Sequence, residues 1–199
     1  IAVGRWSKAR KRRIRESRVD GTKLLCSKLA EMPRPPKVLV CASAIGYYGH
    51  RGDETLREDS PAGEGYLPDV CREWEGATAA AAEAGIRVIR LRTGIVLSPR
   101  GGALKKMLGP FNMGVGGKVG DGRQYMSWIS LDDLVAGIVY CIENESISGA
   151  VNAVAPGAVE PPLDLRRQQL VGDALRRHPS TVAEPAEPSS VEKRSKGLH

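Results

Sequence analysis

Residues 37–43, Lys-Val-Leu-Val-Cys-Ala-Ser, are apolar on both alternations. A strand of that kind has to be covered on both faces. An alanine-rich helical stretch, Asp69 to Ala84, comes next after a loop and closes at Gly85. Arg87-Val88-Ile89-Arg90-Leu91-Arg92 then alternates charged and aliphatic residues as a second strand. Strand, helix ending at a glycine, strand is the βαβ order, and it predicts a parallel sheet covered by helices. Aromatic residues make up only 5% of a chain that is 41% hydrophobic, so the covering core must be mostly aliphatic.

The rest of the chain fits around that unit. Residues 7–31 read as a helix, with Ser7 as N-cap and Ile14, Val19, Leu24, Leu25, Leu29 and Ala30 as its apolar face. Met32-Pro33-Arg34-Pro35-Pro36 stops it. Ala44 to Gly49 leaves the carboxyl end of the first strand, and residues 50–68 form a loop. Gly94-Ile95-Val96-Leu97 is a further strand or a kinked continuation of the one before. Residues 98–127 are glycine-rich with two short apolar pieces, around Leu104–Leu108 and Pro110–Met113. Trp128–Ser130 is extended, and Asp132 or Asp133 opens a helix through Glu143 with Leu134, Ile138, Val139 and Ile142 on one stripe. Val151–Val154 is a late strand, Leu163 to Arg177 is weakly helical, and residues 179–199 have the composition of a disordered tail.

Several function classes drop out. No run of eighteen apolar residues occurs, so no transmembrane helix is expected, and no signal-peptide layout is present. The expected location is the cytoplasm, or the stroma or matrix of an organelle. The four cysteines are scattered singly without a CxxC pair, which points to buried thiols in a reducing compartment. Only three histidines exist, leaving little for a metal centre or a Ser-His-Asp triad. The formal charge of +7 is uneven, because residues 1–40 carry 12 Lys/Arg against 3 Asp/Glu. The run Arg10-Lys11-Arg12-Arg13-Ile14-Arg15 reads as a solvated helix face or as a source of phosphate ligands. Without an aromatic platform or a known nucleic-acid motif, a nucleic-acid role is not favoured.

Three segments go further: Arg15-Glu16-Ser17-Arg18-Val19-Asp20-Gly21-Thr22-Lys23-Leu24-Leu25, Ser43-Ala44-Ile45-Gly46-Tyr47-Tyr48-Gly49, and Arg90 to Gly102 with its Leu91-Arg92-Thr93-Gly94-Ile95-Val96-Leu97 centre. In this order they resemble the extended short-chain dehydrogenase/reductase superfamily. Val115 to Asp133, with Arg123-Gln124-Tyr125-Met126-Ser127-Trp128-Ile129, is similar to the atypical "epimerase family protein" branch, whose members also carry epimerase/dehydratase and cell-division-inhibitor labels. The resemblance covers roughly residues 1–178. It implies an α/β fold with a partial Rossmann-type parallel sheet: residues 1–97 as the C-terminal part of an NADP-binding domain and 98–178 as a substrate lobe with interleaved sheet elements. Family members begin with a GxxGxxG turn that brings a helix N-terminus to the cofactor pyrophosphate. Gly114-Val115-Gly116-Gly117 and Gly120-Asp121-Gly122 lack the strand-before, helix-after context, so they read as substrate-lobe loops. The expectation is a fragment with impaired NADP(H) binding. Without neighbouring strands, one edge of the strand at 37–43 would be bare and would invite homo-oligomers.

The resemblance also assigns residues. Arg18, helped by Arg13, would face the cofactor phosphate or ribose; the alternative for both is surface charge. Ser43 ends its strand where open parallel sheets bind ligands, and it would polarise a substrate carbonyl or simply close the strand. Tyr48 would line the substrate pocket or pack in the core. Val96 would touch the nicotinamide end through its main chain. Arg123 and Trp128 would hold a small, sugar-like substrate, with a structural anchor as the alternative for Trp128. One departure bears on mechanism. Hydride-transferring members of the superfamily use Tyr-x-x-x-Lys, in which the lysine lowers the tyrosine pKa. Here Tyr66 has Val70 at that spacing, and Tyr47 has Arg51 in a glycine-flanked, non-helical context. That opens a second possibility from another class, a non-catalytic nucleotide-sensing or interaction protein.

Overall fold

A computed structural model describes residues 5–113 and 125–156. The chain starts with helix α1 (Lys8–Ala30), whose N-cap Ser7 accepts the Arg10 N–H at 3.3 Å. Strand β1 (Val38–Ala44) runs into a single 3-10 turn over Ile45–Tyr48. The alanine-rich stretch is two helices rather than one. Helix α2 (Tyr66–Gly76) begins three residues before Asp69, and α3 (Ala79–Glu83) is set off from it by a break at Ala77-Thr78. The buried Thr78 hydroxyl donates to the Glu75 carbonyl at 2.7 Å, a local bond that competes with the helix ladder at the break.

Strand β2 (Arg87–Thr93) pairs in parallel with β1, Leu39 beside Val88 and Ser43 beside Arg92. Strand β3 (Ile95–Ser98) belongs to a different sheet, so the break at Gly94 is a change of sheet. A Cβ on Gly94 would lie 2.9 Å from the Ser127 carbonyl oxygen, so only glycine permits the crossing there. The chain continues through α4 (Gly102–Asn112), a helix where the sequence suggests two short apolar pieces in a glycine-rich run. Strand β4 (Trp128–Ser130) pairs in parallel with β3, helix α5 (Leu131–Glu143) follows, and β5 (Gly149–Ala153) pairs in parallel with β2. The main sheet therefore has the order β1-β2-β5, with β1 outermost among the described residues.

Alternation along β2 sorts its side chains to two faces. Val88 packs with Cys26 of α1, Ala81 of α3 and Ile86, while Ile89 and Leu91 pack with Cys141 of α5. Each such aliphatic side chain contributes about 2 kcal/mol when removed from water. Two helical stripes are narrower than the sequence suggests. Leu24 and Leu25 are exposed on α1, and Val139 and Ile142 are exposed on α5; only Leu134 and Ile138 of the α5 stripe meet the core. No helix among the described residues is long and apolar enough to cross a membrane. The expected helix at 163–177 and the tail at 179–199 lie outside the described residues.

Candidate functional site

The carboxyl ends of β1 and β2 carry a closed layer of polar side chains. Ser43, next to last on β1, is buried and donates its hydroxyl proton to Glu75 Oε1 at 2.6 Å. Glu75 sits on the inward stripe of α2 with Cys71, one helical turn before it. Its carboxylate also takes the Arg92 fork, Nε to Oε1 at 2.8 Å and a terminal nitrogen to Oε2 at 2.9 Å. The other terminal nitrogen of Arg92 donates to Tyr48 Oη at 2.9 Å and to the Glu58 carbonyl at 3.0 Å. Tyr48 in turn donates to Asn152 Oδ1 on β5 at 2.7 Å, and the Asn152 N–H reaches Glu58 Oε1 at 2.8 Å. Ser43, Tyr48, Glu75 and Arg92 are each no more than 6% exposed.

Burial alone would lower the Arg92 pKa, and the bonds from Glu75 and Tyr48 more than reverse this, so the guanidinium stays charged. Burial pushes the Tyr48 phenol above its usual value, and the contacts with Arg92 and Asn152 recover only part of that. Tyr48 is therefore a neutral phenol near pH 7. Desolvation also pushes the Cys41 and Cys71 thiols up to about 11, so neither supplies a thiolate nucleophile at neutral pH.

The loop that follows β1 is pinned to this layer. The Gly63 N–H donates to the Tyr47 carbonyl at 3.0 Å, and a Cβ on Gly63 would fall 2.2 Å from the Tyr48 carbonyl oxygen. Beside the same turn lies an open hollow of about 550 Å³, bordered by Trp6, Lys11, Gly46, His50 and Tyr66.

The structure brings together Ser43 and Tyr48 from among the residues the sequence suggests, and it leaves the others apart from them. Arg18 is half-buried on α1, bonds the Ile14 carbonyl at 3.2 Å and lies over the Trp74 ring at 5.3 Å. Arg13 is exposed and engages no acceptor among the described residues. Val96 lies on β3 beside Ile129, in the second sheet. Trp128 opens β4, and its indole N–H is buried without a partner among the described residues. Arg123 lies outside the described residues. Tyr66 does not complete a Tyr-x-x-x-Lys pair: Val70 is buried in the core, and the Tyr66 hydroxyl donates to the Lys11 carbonyl at 2.6 Å.

Sequence reasoning missed Glu75, Arg92 and Asn152. A signal existed for the first two. A strand covered on both faces that carries arginine needs a buried acceptor, and Glu75 is a carboxylate on the inward stripe of the helix between the two strands.

Comparison with known proteins agrees with this architecture. Residues 1–153 match the NAD dependent epimerase/dehydratase family. An epimerase family protein of Mycobacterium tuberculosis is 44% identical over 159 residues, covering 80% of this chain and 52% of the relative. A chloroplastic SDR39U1 homologue of Arabidopsis thaliana is 43% identical over 183 residues, covering 91% of this chain and 51% of the relative. The chain thus spans about half the length of these curated relatives. Among solved structures, human epimerase family protein SDR39U1 (isoform 2) with NADPH superposes with a TM-score of 0.76 at 31% identity, covering 88% of this chain and 58% of that one. A nucleoside-diphosphate sugar epimerase from Corynebacterium glutamicum gives 0.72 at 46% identity, covering 79% and 34%. On the family match across residues 1–153 and the parallel α/β architecture, the chain belongs to the NAD dependent epimerase/dehydratase family.

Proposed function

We propose that this chain carries the reacting end of an NADP(H)-linked epimerase or oxidoreductase acting on a nucleoside-diphosphate sugar. The observation that carries the reading is the single buried network joining Ser43 and Tyr48 through Glu75 and Arg92 at the carboxyl ends of parallel strands. Ligands of open parallel sheets bind at that end. Two relatives support the chemistry: a human protein solved with NADPH and a bacterial protein described as a nucleoside-diphosphate sugar epimerase.

In this proposal Ser43 commits its proton to Glu75 and offers its oxygen lone pairs to a substrate hydroxyl. Arg92 holds the Glu75 carboxylate in place by its two-pronged contact. Arg13 and Arg18 of α1 would meet cofactor phosphate or ribose oxygens, Val96 would meet the nicotinamide end through its backbone, and Arg123 and Trp128 would face the sugar. When bound, the nicotinamide supplies hydride chemistry. These groups suit the nicotinamide end. Gly46-x-x-Gly49-x-x-Gly52 follows β1 but enters a 3-10 turn and a loop, and the turn from β3 into α4 carries Gly101 and Gly102 without that spacing, so the isolated chain is proposed to bind cofactor weakly. Residues 1–97 are proposed as part of the cofactor domain and 98–178 as the substrate lobe. Self-association through the outer edge of β1 belongs to the same proposal, as does a location in the cytoplasm or an organelle, the latter suggested by the relative named chloroplastic.

A second reading, nucleotide sensing without turnover, is favoured by the state of the two candidate phenols. Val70 stands where Tyr66 would need a lysine and the Tyr66 hydroxyl is spent on the Lys11 carbonyl, although the Lys11 ammonium lies over its ring at 5.1 Å, and the Tyr48 phenol is raised by burial. The test for the first reading is an NADPH titration followed by tryptophan quenching. It compares this chain with a chimera bearing the first half of the mycobacterial relative ahead of residue 1. Saturable binding by the chimera, at least tenfold tighter than by the chain alone, is expected. No binding by either would remove the cofactor reading. Sub-micromolar binding by the chain alone would remove the claim of weak affinity.

A further inference from the structure

Of the two tyrosines in the turn after β1, the sequence points to Tyr48, and the structure points to its neighbour. Tyr48 has used its hydroxyl in both directions, donating to Asn152 and accepting from Arg92, and it is 3% exposed. A substrate that bonded to it would first have to break that layer. Tyr47 is half-buried, and its hydroxyl has no hydrogen-bond partner among the described residues. Among those residues, buried polar atoms without a hydrogen-bond partner include Arg90 Nε and Trp128 Nε1. Tyr47 Oη is not one of them, so it reaches solvent.

The Tyr47 ring is nevertheless fixed. The Arg92 guanidinium carbon lies 3.5 Å from its centroid, and its ring meets that of Tyr48 edge to face, with centroids 5.4 Å apart at 82°. Its backbone is held by the bond from Gly63, at the close approach that excludes a side chain there. A rigid ring with one unspent hydroxyl, placed just beyond the carboxyl end of a parallel strand, is preorganised for a polar ligand. An aromatic side chain with a polar tip can pack against a sugar ring and bond one of its hydroxyls together.

We propose that Tyr47 is the substrate-facing phenol of this site, donating a hydrogen bond to a hydroxyl or carbonyl oxygen of the sugar, while Tyr48 braces it from within. This inference rests on the proposed function and extends it to a residue that neither the sequence motifs nor the comparisons single out.

The experiment uses the 199-residue chain, with NADPH and UDP-glucose as probes. It measures binding by calorimetry, thermal melting, and tyrosine nitration by tetranitromethane mapped by mass spectrometry. Tyr47 is expected to nitrate at least tenfold faster than Tyr48 and to be protected by UDP-glucose. Tyr47→Phe is expected to weaken UDP-glucose about 5–10-fold, the worth of one hydrogen bond, with melting unchanged. Tyr48→Phe is expected to lower the melting temperature, because it removes the bonds to Arg92 and Asn152. Equal nitration of the two rings, or parental affinity in Tyr47→Phe, overturns the inference while leaving the proposed function standing. Failure of the parent chain to bind UDP-glucose, with NADPH present, overturns the inference through the sugar-nucleotide reading on which it rests.

Discussion

Two stretches of this chain are rich in arginine, and they use it in opposite ways. On α1, Arg10, Arg12, Arg13 and Arg15 crowd one and a half turns. Arg12 reaches Glu16 at 3.5 Å and Arg15 reaches Glu73 across the helix seam, while Arg13 is exposed without an acceptor. On β2, Arg87, Arg90 and Arg92 are spaced through seven residues, and two of them are fully engaged. Arg92 serves Glu75, Tyr48 and Glu58 from a position 3% exposed. Arg87 points to the other face and donates to the Cys141, Ile147 and Ile142 carbonyls at 2.8–2.9 Å, closing the carboxyl end of α5. Sequence density marked the α1 arginines as the notable ones, yet burial decides what a guanidinium contributes. A buried charge is costly unless its donors are met, and the three acceptor residues around Arg92 meet them.

The largest effect should come from breaking the pair inside the sheet. Arg92→Met leaves Glu75 as an uncompensated buried carboxylate and frees Tyr48 Oη. It is expected to cost about 3–5 kcal/mol in urea unfolding. Arg92→Met combined with Glu75→Leu removes both charges and should recover a good part of that loss. If the single variant costs under about 1 kcal/mol, the network is no better held than a surface pair, and the contrast with α1 collapses.

How much of this was legible beforehand follows the same division. The elements of the βαβ unit were readable because their signals are local: proline after α1, alternation in β2, Gly85 before it. The carboxyl-end placement of Ser43 and Tyr48 was readable through a motif. Their partners were not, since Glu75 lies 32 residues from Ser43 and Asn152 lies 104 residues from Tyr48. Only a parallel register that sets Ser43 beside Arg92, and Arg92 beside Asn152, brings them into one layer. The stripes of α1 and α5 were overread for a related reason. Periodicity marks which side chains share a helix face, but the extent of the covering layer decides how many of them are buried, and Leu24, Leu25, Val139 and Ile142 fall outside it.

An intermediate effect is expected at Arg87. Two of its three bonds cap the Cys141 and Ile142 carbonyls, which the last turn of α5 leaves without intrahelical partners, the third ties down the Ile147 carbonyl beyond the helix, and its positive charge sits at the negative end of the helix dipole. The side chain is only half-buried, so solvent can replace part of what is lost. Arg87→Ala should cost about 1–2 kcal/mol, and Arg87→Lys should recover less than half, because an ammonium cannot fork across three carbonyls. Hydrogen exchange is the sharper readout, with protection falling in α5 and β5 but not in α1. A uniform fall across the chain would mean that Arg87 supports the fold generally and does not act as a cap.

The smallest stability effect belongs to α1, where it separates stability from function. Arg13→Ala removes an exposed charge without an acceptor, so the free energy of unfolding should move by no more than about 0.5 kcal/mol. The same change removes a cation proposed to meet a cofactor phosphate, and in the chimera it should weaken NADPH about 5–10-fold, the worth of one exposed charge-assisted contact. The loss should shrink as salt is raised, because an exposed contact is screened over roughly 8–10 Å at ordinary ionic strength. Equal NADPH affinity in parent and variant at low salt would make Arg13 part of a solvated face and nothing more. A shift in affinity without a shift in stability would mean that Arg13 of α1, unlike Arg92 of β2, has no acceptor among the described residues because its partner is a ligand.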